Sequence, residues 1–376
     1  MMNQPPSLYQ TMEISFKQNE ILKSIKALKN RFLNATFMVK LLHWEFWDFN
    51  VVYAAVGVLH IWQSIKAKSF FYFSASNPGL ENSGFIGEKK SGIMELIPDN
   101  VQPKWFLVDK LEFNSVIENI EIIGISFPLI AKPNIGERGK GVSKIANALE
   151  LRQYFKNINV PFIIQEFVDE PLELGVFYYR MPGSENGIVS SIVAKEFLQI
   201  TGNGISTLAE MVEANPRARF VKDFLSQKHA DVWNEVLKRG ETLKLEEIGN
   251  HCRGTTFLDG NQFITPKFEA VIDGLSHKIP GFYFGRYDLR AKSFEALENG
   301  DFQILELNGA GAEPAHIYQP GFSFWEGQKV LLHHWKVLFQ ISMINKKQGI
   351  KFWTLKEAKK VQFAHKNSLN AIFWKI

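Results

Sequence analysis

The chain has 376 residues, 45% hydrophobic and 22% charged. That excludes a disordered polymer and, at roughly 100–200 residues per domain, predicts two or three domains. The formal net charge of +4 is spread over the whole length, too little to imply a nucleic-acid partner. A single cysteine, Cys252, excludes an internal disulfide framework and a cysteine-rich metal site, and fits a reducing, cytoplasmic setting. The unusual figure is aromatic: 32 Phe and 9 Trp.

Met1–Phe16 is polar and lacks the continuous apolar segment of a secretory signal. Residues 16–41 read as an amphipathic helix, with Ile21, Leu22, Ile25, Leu28, Phe32 and Leu33 at helical spacing. The longest apolar stretch, Phe49–Trp62, is interrupted by Asn50 and His60 and is shorter than the ~20 residues a spanning helix needs. Basic and aromatic residues flank it, namely Lys40, Trp44 and Trp47 before and Lys66, Lys68, Phe70 and Phe71 after. Such flanks suit an interfacial helix or one buried in an aromatic core, and burial is the expectation.

Ser69–Ala75 reads as a short buried strand ending at the turn Asn77-Pro78-Gly79, and a helix is expected between Gly87 and Pro103. The pattern then becomes mixed. Strands are expected over Phe127–Lys132, Phe162–Val168, Leu174–Arg180, Val189–Leu198, Gly281–Leu289 and Phe302–Leu307, with helices over Ala146–Phe155 and Leu208–Ala214. Phe322–Ile376 is again helical, aromatic and basic.

Three stretches carry chemistry. In the first, the strand ending at Lys132 leads into a loop with Gly136, Arg138, Gly139, Lys140 and Gly141. Closely spaced glycines let backbone N–H groups approach phosphate oxygens, and the cations neutralise them, although a β-hairpin tip reads the same way. In the second, Gln165-Glu166-Phe167-Val168 closes a strand and Glu173 follows, offering an edge for a base and a carboxylate for a ribose. In the third, Arg286 and Asp288 lie on one predicted strand, while Glu306 and Asn308 share one face of another. Such hard oxygen donors suit Mg²⁺ shared with phosphates.

In this order the three stretches resemble the ATP-grasp superfamily of carboxylate–amine ligases over roughly residues 86–321. The resemblance implies an α+β fold of two lobes clasping ATP, about 86–180 and 181–321. Flanking them would be an atypical mainly helical region, 1–85, and a helical extension, 322–376. It implies ATP and Mg²⁺ as cofactors, two ions by family precedent with Mn²⁺ able to substitute. Lys90 (with Lys89 a competitor) and Lys132 would bind phosphates, residues 165–168 the adenine and Glu173 the ribose. Lys195 would reach the phosphates from the second lobe, Arg286 would steady the tetrahedral intermediate, and Asp288, Glu306 and Asn308 would hold the metal.

The implied substrates are a small carboxylate and an amine-type acceptor. Asn250, His251 and Arg253, and beyond the metal ligands Glu313 and His316, are candidates for binding them. The glycines of Asn308-Gly-Ala-Gly-Ala would let a substrate approach the backbone, or simply form a tight turn. Cys252 reads as a packing residue rather than a nucleophile, and His333-His334-Trp335 as helix surface. Asn203 stands where cyanophycin synthetase-like ligases carry Asp, and the stretch around it also reads as a glycine turn with Ser206 capping a helix. An ATP-grasp kinase without condensation, and a nucleotide-binding or membrane-surface interaction protein, are the competing readings. The aromatic excess concentrates in residues 32–73 and 322–374, which are expected to pack together or against a partner.

Overall fold

The computed structural model describes residues 43–110, 112–137, 139–249 and 253–372; the expected helix at 16–41 lies outside them. Two units are formed. The larger comprises residues 52–199 and 244 onward, and the smaller residues up to 51 together with 200–243.

In chain order, the larger unit begins with α1 (Ala54–Ala67), α2 (Lys90–Met94), β1 (Trp105–Val108) and α3 (Phe113–Ile123). Then come β2 (Leu129–Pro133), β3 (Ser143–Ile145), α4 (Ala148–Asn157), β4 (Phe162–Glu166), β5 (Leu172–Tyr179) and β6 (Ile188–Glu196). The strand pair β7 (Gln199–Thr201) and β8 (Thr242–Lys244) brackets α5 (Leu208–Ala214) of the smaller unit. The larger unit resumes with β9 (Thr256–Asp259), α6 (Pro266–His277), β10 (Phe284–Ala291), β11 (Gln303–Asn308), α7 (Phe324–Lys347) and α8 (Leu355–Ala371).

The larger unit is α+β, with two antiparallel sheets. The first has the order β1-β4-β2-β3. α3 places Phe113, Val116, Ile117, Ile120 and Ile123 at helical spacing, and Gly124 ends it in the left-handed conformation with φ 72°. α4 starts at Asn147, whose side chain accepts from the N–H groups of Leu149 and Glu150. Both helices cover the face of Leu129, Ala131, Phe162 and Ile164, so Lys132 and Gln165 emerge on the other face. The second sheet has the order β11-β10-β5-β6-β9. One face, carrying Leu174, Val176, Tyr178, Ile192, Tyr287 and Leu289, packs against Phe268, Ile272 and Leu275 of α6.

The aromatic flanks do pack together. Phe177 and Phe284, on the other face of the second sheet, are covered by Tyr72, Phe73, Val337, Leu338 and Ile341. Phe73 stacks on Phe85 at 4.0 Å between centroids and meets Trp353 edge-on at 5.9 Å. Ser69–Ala75 is not a strand, because Tyr72–Ala75 forms a 3₁₀ turn. Four consecutive aromatic side chains look like a buried strand, but here Tyr72 and Phe73 fill the space between α7 and the sheet. The turn after it is held by buried Asn77, whose amide accepts from the N–H groups of Tyr283 and Phe284 (both 2.9 Å) and donates to the Phe284 carbonyl (2.8 Å). The helix expected over 87–103 shrinks to α2 and a 3₁₀ turn at Asp99–Val101.

Two further expectations fail by burial. The Phe49–Trp62 stretch is helical but leaves Val58, Ile61 and Trp62 exposed. His334 is buried rather than on the surface, donating from Nδ1 to the Val330 carbonyl (2.8 Å) and meeting Ser190 Oγ at Nε2 (2.9 Å). In the smaller unit, α5 is capped by Thr207 and not Ser206. The Thr207 side chain accepts from the Glu210 N–H while Glu210 accepts from the Thr207 N–H.

Candidate functional site

The period-two alternation of β10 sends Arg286, Asp288 and Arg290 to the face of the second sheet that α6 does not cover. Register completes the set. Asp288 opposes Glu306 and Arg286 opposes Asn308 on β11, while Arg290 opposes Glu173 on β5. Lys195 of β6 joins the same face beside Glu173. Gly175 opposes Asp288, and a β-carbon there would stand 2.7 Å from Val193 Cγ1 and 3.1 Å from both Arg286 Cδ and Asp288 Oδ1. Glycine leaves the room in which the guanidinium and carboxylate lie flat on the sheet.

The charges pair densely. Arg286 donates to both oxygens of Asp288 at 3.1 Å, Lys195 lies 3.4 Å from Asp288 Oδ1, and Asn308 Nδ2 donates to Asp288 Oδ2 at 3.2 Å. Lys195 also donates to Glu173 Oε1 at 3.0 Å, and Arg290 holds Glu173 Oε2 at 2.7–2.8 Å while reaching the Val168 carbonyl at 2.5 Å. Burial opposes ionisation of Asp288, but Arg286 and Lys195 outweigh it and hold its carboxyl at about 2. Burial likewise works against charge on Lys195 and Arg286, and their carboxylate partners reverse the balance, raising both.

The first sheet supplies the opposing wall. Lys132 donates to Gln165 Oε1 (2.7 Å) and across to the Leu305 carbonyl of β11 (3.1 Å). Asn134 fixes the start of α2, accepting from Lys90 N at its carbonyl (2.8 Å) and from Ser91 N at its side chain (2.9 Å). Lys90 is thereby aimed at Glu306, with which it forms an ion pair. Lys89 is exposed, and only its backbone is engaged here, donating to Glu81. Between the walls is a cleft lined by Glu88, Lys90, Lys132 and Glu306, with Ile93, Met94 and Leu307 as its apolar part. Burial lowers the Lys132 ammonium to about 8. Burial disfavours charge on Glu306 too, but Lys90 and Lys132 pull it below the usual carboxylate range. Glu88 is raised by burial.

Two buried polar atoms in these walls have no partner, Glu88 Oε2 and Gln165 Nε2. Unmet donors and acceptors of this kind cost about 1–3 kcal/mol each and suit a polar ligand. Asp288, Glu306 and Asn308 are a hard-oxygen set on paired strands, chemistry that fits Mg²⁺. Their charge is met here by lysine and arginine. Among the described residues no cluster of three or more His, Cys, Asp or Glu side chains is placed to hold a metal.

The glycine loop is the β2–β3 hairpin connection. Gly139 and Gly141 have φ of 71° and 77°, which favours glycine. A β-carbon on Gly141 would approach Pro133 Cγ to 2.6 Å and Ile372 Cγ2 to 2.9 Å. Lys140 donates to the Leu369 carbonyl at 2.7 Å, and Arg253 to the Gly139 carbonyl at 2.6 Å. Arg253, expected on the acceptor side, thus sits at this loop, as does the end of α8. Gly136 lies in the same loop with Ile372 close by. Glu166 and Phe167 follow Gln165 at the C-terminal end of β4, an interior strand of the first sheet; the Phe167 ring lies 4.2 Å from Lys144 Nζ and 5.7 Å from the Arg290 guanidinium carbon. Arg138, Asn250, His251 and Cys252 lie outside the described residues.

The segment after β11 differs from expectation. Gly309 and Gly311 face chain, not open space: Ala310 N–H donates to the Ser83 carbonyl (3.0 Å) and Gly311 N–H to the Gly84 carbonyl (2.9 Å). His316 is buried against Ser191 Oγ at 2.6 Å, and burial lowers its pKa. Glu313 is at the site, because Arg286 Nη1 donates to its carbonyl at 3.3 Å. Its carboxylate accepts from the hydroxyls of Tyr53 and Tyr318, and burial and that carboxylate push both phenols well up. Arg290, Glu88, Tyr53 and Tyr318 were not among the sequence candidates. Only Arg290, two residues past Asp288 on the same strand face, was open to detection by spacing.

No family model and no curated relative matches the sequence. Among solved structures the chain is similar to the VanG D-Ala:D-Ser ligase of Enterococcus faecalis, at 15% identity and TM-score 0.38 over 66% of this chain and 61% of that one. It is also similar to a bifunctional glutathione synthetase from Pasteurella multocida (12%, 0.36, over 65% of this chain and 36% of that one). A third is a D-alanine–D-alanine ligase from Bacillus anthracis (12%, 0.37, over 69% of each chain). The chain spans less than two thirds of the length of the first two.

Proposed function

We propose that this chain is an ATP-dependent carboxylate–amine ligase of the ATP-grasp type, acting on an amino-acid or peptide-like substrate. The observation that carries the reading is the convergence on one cleft of Lys132 and Glu306 from two sheets and of Lys90 from the start of α2, beside Arg286, Asp288 and Asn308. Such a cleft suits a polyphosphate. Lys90 and Lys132 would take its charge when it displaces their present carboxylate and amide partners, and Gln165, with a spare buried N–H₂, would face the base. Asp288, Glu306 and Asn308 would hold Mg²⁺, which when bound neutralises phosphate oxygens and orients them for in-line transfer.

The chain's own contribution is electrostatic positioning. Negative charge develops on the transferred phosphoryl group and then on the tetrahedral oxygen formed when the amine attacks the acyl phosphate. Arg286 and Lys195, fixed by Asp288 and Glu173 and largely buried, are preorganised donors for that charge. No nucleophilic side chain is needed. Glu173 is already saturated by Arg290 and Lys195, so a ribose contact there would share the carboxylate with them.

The test is ADP release from ATP and Mg²⁺ against amino acids, dipeptides and hydroxy acids, with mass spectrometry of the products. An amide product supports the ligase and a stable phosphoester the kinase alternative. Glu306→Gln should abolish ADP release while leaving the thermal transition in place; retained turnover in a folded variant would sink the assignment.

A further inference from the structure

Helix α1 is apolar on two sides and buried on one. Val56, Gln63 and Ala67 face inward, where Gln63 Nε2 donates to the Trp335 carbonyl of α7 (3.3 Å). Just before the helix, the Val52 carbonyl accepts from Gln328 of α7 (2.9 Å). The opposite side carries Val58, Ile61, Trp62 and Ile65, at i, i+3, i+4 and i+7, and their exposures are 71%, 57%, 51% and 72%. Phe70, just past the helix, is also exposed, with its ring edge-on to His60 at 4.5 Å on the inward side of the helix. A soluble helix normally turns charged and polar residues to water on this side, and a contiguous apolar stripe marks an interaction surface.

The charge around the stripe selects the partner. From Asn50 to Leu80 there is no Asp or Glu, while Lys66 and Lys68 are exposed beside the stripe. Lys66 Nζ lies over the Trp62 ring, 3.5 Å from its centroid, a cation–π contact that puts a positive charge directly beside the stripe. A two-fold contact with a second copy would set these lysines against themselves. An anionic lipid headgroup layer neutralises them, accepts Trp62 at the water–hydrocarbon boundary, and takes up the aliphatic side chains. At 14 residues, α1 is about 21 Å long, and no described helix is long and apolar enough to cross a membrane.

We propose that α1 is a membrane-surface helix that lies in the headgroup region of an anionic bilayer through Val58, Ile61, Trp62 and Ile65, with Lys66 and Lys68 contacting the headgroups. None of these residues lines the nucleotide cleft, so the proposal stands whether or not the ligase reading does.

The test is flotation of the full chain with vesicles containing phosphatidylglycerol, and with phosphatidylcholine alone, at about 0.1 M salt. The chain should float with the anionic vesicles. Trp62→Glu/Ile65→Glu, altering exposed positions only, should lower partitioning at least about tenfold with an unchanged thermal transition. Lys66→Gln/Lys68→Gln should weaken binding to the anionic vesicles but not to the neutral ones. A chain that stays at the bottom of the gradient, or a Trp62/Ile65 variant that floats like the parent, would overturn the proposal. So would absence of flotation with a dimer, seen by light scattering, that the Trp62/Ile65 variant dissolves; that result would assign the stripe to a second copy.

Discussion

Glu173 is the anion on which two buried cations depend, which makes its removal a quantitative test of the site's construction. Its carboxylate is buried, with Arg290 at 2.7–2.8 Å on one oxygen and Lys195 at 3.0 Å on the other. Glu173→Gln keeps the shape and removes the charge. Breaking a buried pair by removing one partner costs about 3–5 kcal/mol, because the remaining charge stays desolvated. Here each cation keeps a second contact, Arg290 with the Val168 carbonyl at 2.5 Å and Lys195 with Asp288 at 3.4 Å, so the lower end, about 3 kcal/mol, is expected. The assay is urea unfolding of the parent, Glu173→Gln, Arg290→Met and the double variant. With the orphaned guanidinium gone, the double variant should recover at least about 1.5 kcal/mol relative to the sum of the single effects. A cost below about 1 kcal/mol for Glu173→Gln, or strict additivity in the cycle, would refute the idea that this carboxylate is the counter-charge of the site.

Two further outcomes follow from the same geometry. Gly175→Ala puts a β-carbon 2.7 Å from Val193 and 3.1 Å from Arg286 and Asp288; it should cost about 1–3 kcal/mol by overpacking and reduce ATP turnover, whereas Gly274→Ala, with nothing within 4 Å inside α6, should be neutral or gain up to about 1 kcal/mol by helix propensity. A differential scan that cannot separate the two variants would count against the close approach at Gly175. His334, buried and lowered by burial to about 4, favours the folded state above its ordinary pKa near 6.5. That stability is lost as pH falls through 4, a contribution of about 3 kcal/mol. His334→Gln should flatten the fall in urea midpoint between pH 7 and pH 4.5, and an unchanged slope would show that this imidazole is not the titrating group.

What the sequence made legible was what strand periodicity carries. Arg286 and Asp288 on one strand, and Glu306 and Asn308 on another, could be placed on common faces because alternate residues must share a face. Lys132 at the end of an apolar strand was readable for the same reason. Spacing did not reach their partners, which arrive from far along the chain; Lys90 was named only through the family resemblance. Lys90 meets Glu306 from 216 residues away, and Tyr53 reaches Glu313 from 260 residues away; neither register nor spacing encodes such encounters. The aromatic run at 69–75 failed differently. A short apolar run reads alike as strand or as buried turn, and only the pocket formed by α7 and Phe177 decides. The glycines at 309 and 311 were rightly seen as places of close backbone approach, but what approaches is Ser83–Gly84.

That last contact bears on why the flanking segments are aromatic. The second sheet's face opposite α6 carries charge at one end, from Glu173 to Glu306, and Phe177 with Phe284 at the other. A charged cleft cannot supply the apolar burial that would fix its own strands, and densely paired ions contribute little net stability. Burial at the neighbouring end supplies it. Tyr72, Phe73, Val337 and Leu338 close over Phe177 and Phe284, Asn77 ties the intervening turn to the first residue of β10, and Ser83–Gly84 clamps the segment that leaves β11. Both strands bearing the candidate metal ligands are thus held at an end by the flanks. At the first sheet α8 acts similarly: Ile372 is fully buried beside Pro133 and the glycine loop, and the Leu369 carbonyl holds Lys140. Part of the aromatic excess among the described residues therefore supports the cleft, while Phe49, Trp62, Phe70, Trp325 and Phe363 stay exposed. The outward stripe of α1 supports nothing inside the unit, and its chemistry is that of a surface meant to be covered.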